Sequence, residues 1–477
     1  MAYRGRGNDD GRRGGGDGRR GDDGRRGGDD GDGRRGGDGR RGGDDGRHGD
    51  DGRRGGGDYN GRRKEYRNNR PPPPPPEQSV DISLFQNDDE GLALSEPIET
   101  FEDLDLNEKL VRGVYSYGFE KPSPIQRKAV RPFIAGRDII AQAQSGMGKT
   151  ATFCLGVLSR LDVNSNTTQA IILSNTRELA LQIDMVLRQL GNYMDARFNL
   201  SVKGISIEEN ISALSKSVKP HVVVGTPGRV LDMLSKKALS TENLKMLVMD
   251  EADEMLSKCF VDQIYDIFGF MPPSIQVGLY SATMGENFFT ITKRFMRNPV
   301  YILVKADELT LEGIKQFYIN VEKNDYKFQT LCDLYSILTI SQCIIYCNHC
   351  KSVEELTQRM IENNFTVSAI HGDLTPNERE ITMADFRSGK TRVLISTDLL
   401  SRGIDVQQVS IVINYDIPIR VDNYLHRIGR SGRYGRKGIA INFKTFYDST
   451  RMTNIEKYYN TVIDEMPMNI QELVKGL

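Results

Sequence analysis

Cysteine is scarce in this 477-residue chain: six residues, at positions 154, 259, 332, 343, 347 and 350, with irregular spacing. Such usage excludes a disulfide scaffold and fits a reduced intracellular protein. Cys343, Cys347, His349 and Cys350 lie close together, but they flank the apolar Ile344-Ile345. With no second ligand pair downstream, they read as thiols rather than a zinc site. No apolar run reaches the roughly 18 residues of a membrane-spanning helix. The first ten residues, MAYRGRGNDD, lack the apolar stretch of a secretory leader, so the expectation is an intracellular protein without membrane association. An excess of charge is missing too, with 64 Lys+Arg against 65 Asp+Glu, and taken alone that balance argues against a nucleic-acid binder.

The average hides two different parts. Residues 1–70 hold 25 of the 48 glycines, 20 Lys+Arg, 15 Asp+Glu and only five apolar residues, a net of +5. Residues 71–477 keep 44 Lys+Arg and 50 Asp+Glu, a net of −6. Five apolar residues in seventy cannot offset the entropy of ordering the chain, so a disordered Gly/Arg/Asp-rich tail is expected. The hexamer Asp-Gly-Arg-Arg-Gly-Gly recurs at 10–15, 23–28, 32–37, 38–43 and 51–56. Two readings of this repeat stay open: a weak, salt-sensitive RNA-binding arm, or a solvated spacer whose aspartates cancel its arginines. Six prolines at 71–76 form a polyproline spacer, mixed polar sequence runs on to 100, and the folded part begins near Phe101.

Length alone suggests about three domains, but the pattern gives two. Short runs, apolar on both faces, alternate with helical patterns at Asp138–Ala141, Ala170–Ser174, His221–Gly225, Met246–Asp250 and Gln276–Tyr280. A second series follows at Lys315–Val321, Cys343–Tyr346, Val367–Ile370, Arg392–Ile395, Ile411–Asn414 and Ile439–Phe443. Such runs suit parallel sheets covered by helices on both faces. The expected organisation is two tandem doubly wound α/β domains, 101–305 and 313–477, joined by a charged linker at 306–312.

Local motifs sit where ligands gather in such sheets, at the carboxyl ends of strands. Ala143-Gln144-Ser145-Gly146-Met147-Gly148-Lys149-Thr150 follows the first strand and opens a helical pattern, as a phosphate-binding P-loop does. Lys149 would neutralise the β- and γ-phosphates and Thr150 would ligate Mg²⁺. Ala143 stands where the general pattern has its first glycine, so an incidental Gly-Lys-Thr turn remains the alternative on this segment alone. About one hundred residues on, Leu247-Val248-Met249 ends in Asp250-Glu251-Ala252-Asp253. There an acid can hold Mg²⁺ (Asp250) and a neighbour can orient and deprotonate water (Glu251).

From Phe101 to Leu477 the chain resembles the DEAD-box ATP-dependent RNA helicases, which implies two RecA-like domains, ATP and Mg²⁺. Gly118-Phe119-Glu120-Lys121-Pro122-Ser123-Pro124-Ile125-Gln126 resembles the family's Q motif, implying that Phe119 stacks on adenine and Gln126 reads its edge. Ser145, Gly146 and Gly148 would line the phosphates. Ser281-Ala282-Thr283 resembles the element coupling nucleotide state to RNA binding, with His426 as its counterpart. Thr397 to Asp405 resembles motif V, implying nucleotide contacts from Gly403 and Asp405 and an RNA contact from Thr397. His426 to Arg433 resembles motif VI, and its arginines, three apart on one side of a turn, would put Arg430 and Arg433 on transition-state charge.

Thr176-Arg177-Glu178, Gly204 and Thr226-Pro227-Gly228-Arg229 resemble the segments that grip the RNA backbone. The chain departs from the family's usual pattern at Asn175 (proline), Lys203 (glycine) and Ser401 (alanine). The loss of a glycine at 203 puts the close backbone approach there in doubt. Segments outside the catalytic motifs, such as Glu312-Gly313-Ile314-Lys315-Gln316-Phe317 and Asp464-Glu465-Met466-Pro467-Met468-Asn469, resemble the subgroup of translation initiation factor 4A and its nuclear exon-junction paralogue.

The resemblance implies a monomeric, RNA-dependent ATPase that unwinds short duplexes without sequence preference, in translation initiation or mRNA metabolism, and in the cytoplasm rather than the nucleus. It leaves room for a scaffold protein bridging the two domains. An ATP-locked RNA clamp that nucleates a ribonucleoprotein complex is the rival that the sequence cannot separate. A P-loop kinase or GTPase predicts neither a second α/β domain with arginine fingers nor an adenine-reading Gln126.

Overall fold

The computed structural model describes residues 98–143, 146–257, 259–303, 314–338, 342–400, 409–431 and 438–467. The repeat tail, the proline run, the 306–312 linker, Ser401 and the expected site residues Ser145, Gly403, Asp405 and Arg433 lie outside these residues. Two parallel seven-stranded sheets organise the rest. The first contains β1 (Ile139–Gln142), β2 (Ala170–Ser174), β3 (Phe198–Ser201), β4 (Val222–Gly225), β5 (Met246–Asp250), β6 (Gln276–Ser281) and β7 (Val300–Ile302), in the spatial order β3-β4-β2-β5-β6-β1-β7. The second contains β8 (Ile314–Glu322), β9 (Cys343–Tyr346), β10 (Val367–Ile370), β11 (Val393–Ser396), β12 (Ile411–Asn414), β13 (Gly438–Thr445) and β14 (Asp464–Glu465), ordered β10-β11-β9-β12-β13-β8-β14.

The strands carry continuous apolar runs because each is buried on both faces. Ile139 and Ala141 enter one core while Ile140 enters the other; Ile172 and Val248 face the first, and Ile171, Leu173, Leu247 and Met249 the second. In the second sheet, Ile344, Tyr346, Leu394 and Val412 alternate in the same way with Cys343, Ile345, Val393, Ile411 and Ile413. Full burial of each such side chain is worth about 1.5–3 kcal/mol. A register slip of one residue would exchange the two faces of a strand.

The expected strands all occur, with bounds shifted by a residue or two. Three strands were not anticipated: β3, β7 and β14, each at or next to a sheet edge. Their burial is partial or absent, so they lack the two-sided apolar signature of the central strands. Core packing also starts ahead of Phe101: Ile98 is buried against the first core, and Asp103 accepts the backbone N–H groups of Glu99 and Thr100. Cys343 and Cys347 point into the second domain's core, where burial pushes both thiols up. No described helix is long and apolar enough to cross a membrane.

Candidate active site

β1 is flanked by β6 and β7, and β5 lies beyond β6, so the carboxyl ends of β1, β6 and β5 stand side by side. Beyond β1 the chain turns through Gly146 and Gly148, at φ 88° and 91°, into the helix Lys149–Ser159. Only glycine takes that left-handed backbone without cost. A β-carbon on Gly148 would also come within 3.0 Å of Nε2 of Gln126. Lys149, the first helical residue, is buried and its Nζ donates to the Ala143 carbonyl at 2.8 Å.

Asp250 is the last residue of β5. It accepts from Oγ1 of Thr150 at 3.3 Å and from the backbone N–H of Glu251 at 3.0 Å. Burial, reinforced by the adjacent Glu251, pushes the Asp250 carboxyl up to about 7, while Lys149 pulls the other way. Glu251 itself is 3% exposed, and its Oε2 has no hydrogen-bond partner. Its backbone is left-handed (φ 54°, ψ 49°), a conformation that costs a non-glycine residue on the order of 1–3 kcal/mol. The strain re-aims the chain out of β5 into the short helix Ala252–Met255. A hydroxyl and a buried carboxylate facing each other are a donor set that a hard divalent cation fits.

Strand β6 ends at Ser281, whose Oγ donates to the Thr283 carbonyl at 2.7 Å. The Thr283 hydroxyl donates to Asp253, tying this turn to the Asp250–Asp253 segment. Ala282, between them, packs into the core of the second domain. The second domain meets the same place with the helix Val421–Ile428. Nδ1 of its buried His426 lies 3.9 Å from Oε2 of Glu251, and Nε2 lies 3.6 Å from Oδ2 of Asp253. Arg430 follows in the turn after the helix, 3% exposed, with Nε donating to the His426 carbonyl at 3.2 Å. Burial lowers its pKa, opposed by Tyr346, Glu251 and Asp250.

At the other side of the P-loop, Gln126 and Ser123 form a capping box on the helix Pro124–Ile134. Oε1 of Gln126 accepts the Ser123 N–H at 2.7 Å, which fixes the amide with Nε2 against Gly148. Phe119 packs 4.7 Å from Tyr117 and 6.1 Å from Phe101, ring centre to ring centre.

The segments expected to grip RNA line the carboxyl ends of β2, β3 and β4. Thr176 caps the helix Arg177–Leu190 by accepting from Leu179 N–H, and Thr226 with Pro227 opens the helix Pro227–Ser235. Gly204 has φ 104°, and a β-carbon there would meet Pro376 at 3.1 Å and Arg177 at 3.2 Å. Lys203 has no positive φ, so the missing glycine costs the backbone nothing at that position. Arg177 and Arg229 are both engaged within the chain. Arg177 pairs with Glu380 at 3.2 Å across the domains, and Arg229 donates at 2.6 Å to both the Ile205 carbonyl and Oδ1 of Asn210. Gly228 stands in the first turn beyond Pro227, and Thr397 follows β11, its Oγ1 accepting from Leu399 N–H at 3.4 Å.

Several residues of this region carried no expectation. Arg379 pairs with Glu178 at 3.0 Å, and Arg420 with Glu254 at 3.5 Å, both between the two domains. Arg427 is fully buried and binds Asp398, the Asp416 carbonyl and Oδ1 of Asn348, drawing together the ends of β9, β11 and β12. Its place in an arginine-rich stretch gives no sign of that.

Two family models match the chain: "DEAD/DEAH box helicase" over residues 123–291 and "Helicase conserved C-terminal domain" over residues 326–435. Eukaryotic initiation factor 4A-1 of Arabidopsis thaliana is 57% identical over 376 residues, covering 79% of this chain and 91% of that protein. Eukaryotic initiation factor 4A-9 of Nicotiana tabacum is 56% identical over 379 residues, with 80% and 91% covered. Among solved structures, S. cerevisiae Dbp5 bound to RNA and ADP BeF3 superposes with a TM-score of 0.75 at 35% identity, covering 79% of this chain and 99% of that one. The chain belongs to the DEAD/DEAH box helicase family, the ATP-hydrolysing RNA helicases.

Proposed function

We propose that this protein uses ATP to bind and locally open short RNA duplexes, serving translation initiation or another step of mRNA metabolism in the cytoplasm. Its likeness to plant initiation factors 4A supports the cellular role. The observation that carries the mechanism is the convergence of Lys149, Asp250 and Glu251 with His426 and Arg430 from the other domain. When groups from both domains are needed around the γ-phosphate, nucleotide state and domain closure become one event.

In this reading, Phe119 stacks on adenine and Gln126 reads its edge. Backbone N–H groups around Gly146 and Gly148 cradle the phosphates, and Lys149 neutralises them. Thr150 and Asp250 hold Mg²⁺, which offsets phosphate charge when bound. Glu251, with its unpartnered Oε2, orients the attacking water and takes its proton, and Arg430 meets the charge that develops. Ser281, Thr283 and His426 relay closure through Asp253. Thr176, Gly204, Thr226, Pro227, Gly228 and Thr397 present backbone and hydroxyl groups to sugar and phosphate, a mode without sequence preference. Arg177 and Arg229 shape that surface through the pairs described above.

Glu251→Gln tests the central assignment. Loss of a general base should lower RNA-stimulated ATP turnover by about 10²–10⁴-fold while ATP and RNA still bind. Unchanged turnover refutes it. Strand displacement of a short duplex, with and without added partner proteins, separates a helicase from an ATP-locked clamp.

A further inference from the structure

A second polar cluster lies away from the nucleotide site, on the carboxyl edge of the second sheet. Cys350 opens the helix Cys350–Glu362 shortly after β9, and His371 and Asp373 follow β10. The Cys350 thiol, a ring nitrogen of His371 and a carboxylate oxygen of Asp373 all lie within 4.8 Å of one another. His371 is 2% exposed, and its Nδ1 has no hydrogen-bond partner although it faces Oδ2 of Asp373 at 3.9 Å. On the opposite edge of the ring, Nε2 lies 3.6 Å from Oε1 of Glu354.

A buried ring nitrogen without a partner is costly, and here it faces the Asp373 carboxylate with the Cys350 thiol in the same cluster. We propose that Cys350, His371 and Asp373 form a binding site for a zinc-class divalent metal ion, His371 coordinating through Nδ1 and Glu354 accepting its Nε2–H. Thiolate, imidazole and carboxylate together select a borderline-soft ion such as Zn²⁺ over Mg²⁺ or Ca²⁺. Binding would draw the three atoms in to metal–ligand bonds of about 2.0–2.3 Å. A carboxylate on the far nitrogen is the usual support of a metal-bound histidine, because it fixes the tautomer and raises the ring's basicity. Three protein ligands leave a fourth position for water or another donor.

The ion would tie the loop 371–375 to the start of the helix Cys350–Glu362. Asp373 stands just ahead of the helix Pro376–Arg387, which carries Arg379 and Glu380 to the first domain. The site is independent of the proposed helicase chemistry, whose residues it does not share.

The test uses the full chain, stripped with chelator and titrated with Co²⁺ and then Zn²⁺ under reducing conditions, without nucleotide. The expected result is one equivalent of Co²⁺ with a thiolate-to-cobalt charge-transfer band, displaced by Zn²⁺. Cys350→Ser should remove the band, and Asp373→Asn should weaken Zn²⁺ binding at least about tenfold, with Glu354→Gln losing about 10–100-fold. Cys259→Ser, which removes an exposed thiol, should leave the band intact. Circular dichroism of each variant reports that the fold is retained. Absence of the band in the native chain, its survival in Cys350→Ser, or unchanged Zn²⁺ affinity in folded Asp373→Asn overturns the proposal.

Discussion

At the scale of single residues, burial decides what a polar group does. His221 shows this outside the active site. It is fully buried, with Nε2 bonded to the Ser165 carbonyl at 2.9 Å and Nδ1 accepting the Arg197 N–H at 3.1 Å. The Nδ1 bond requires the neutral ring with its proton on Nε2, and protonating Nδ1 would set a donor against a donor. Burial, aided by Arg197, holds its pKa below the ordinary 6.5. The unfolded chain therefore takes up the proton first. His221's contribution is fully present above about pH 6.5 and is lost as pH falls below it toward the folded value. Between about pH 7.5 and 5.5 the melting temperature should fall further in the native chain than in His221→Gln, read by calorimetry. Equal falls would show that other groups carry the acid sensitivity.

Among helices and strands, local rules explain most of what formed. The helix Pro376–Arg387 begins Thr375-Pro-Asn-Glu378, a capping box with proline in the first turn, readable from the sequence. In the structure Thr375 N–H donates to Oε2 of Glu378 at 2.8 Å, and Thr375 Oγ1 accepts from Glu378 N–H at 3.3 Å. Thr375→Ala should cost about 1 kcal/mol, lowering the melting temperature by about 2–4 °C, whereas Thr375→Ser should recover most of it. Central strands were equally legible, since burial on both faces demands continuous apolar residues. The outer strands β3, β7 and β14 were not, because a half-buried or exposed strand owes its place to its neighbour rather than to its own residues.

For the whole molecule, the question is what holds the two domains in register. Arg379 and Glu178, both largely buried and 3.0 Å apart, link them near the proposed RNA face. Arg379→Glu should raise the ATP concentration for half-maximal RNA-stimulated turnover, and adding Glu178→Arg should restore part of the loss. A double-mutant cycle on that constant should return a coupling of about 0.5–3 kcal/mol. Strict additivity would mean the pair contributes nothing to closure.

Sequence by itself determined the α/β class and the division into two sheets, and it pointed to those site motifs whose chemistry is local. A P-loop, an acid pair at a strand end and an arginine-rich turn each carry their meaning within about ten residues. Net charge was a poor guide, because the groups that matter stand one by one at strand ends, whatever the sum over the chain. Only the tertiary structure decided which motifs touch: Thr283 with Asp253, His426 with Glu251, and Arg427 with the ends of three strands. It alone joined Cys350 to His371 and Asp373, which the sequence separates by a helix and a strand. Within each domain the physical reason is the same, whereas His426 reaches Glu251 from the other domain. A parallel sheet gathers the carboxyl ends of its strands along one edge, in an order set by crossovers that no local pattern records.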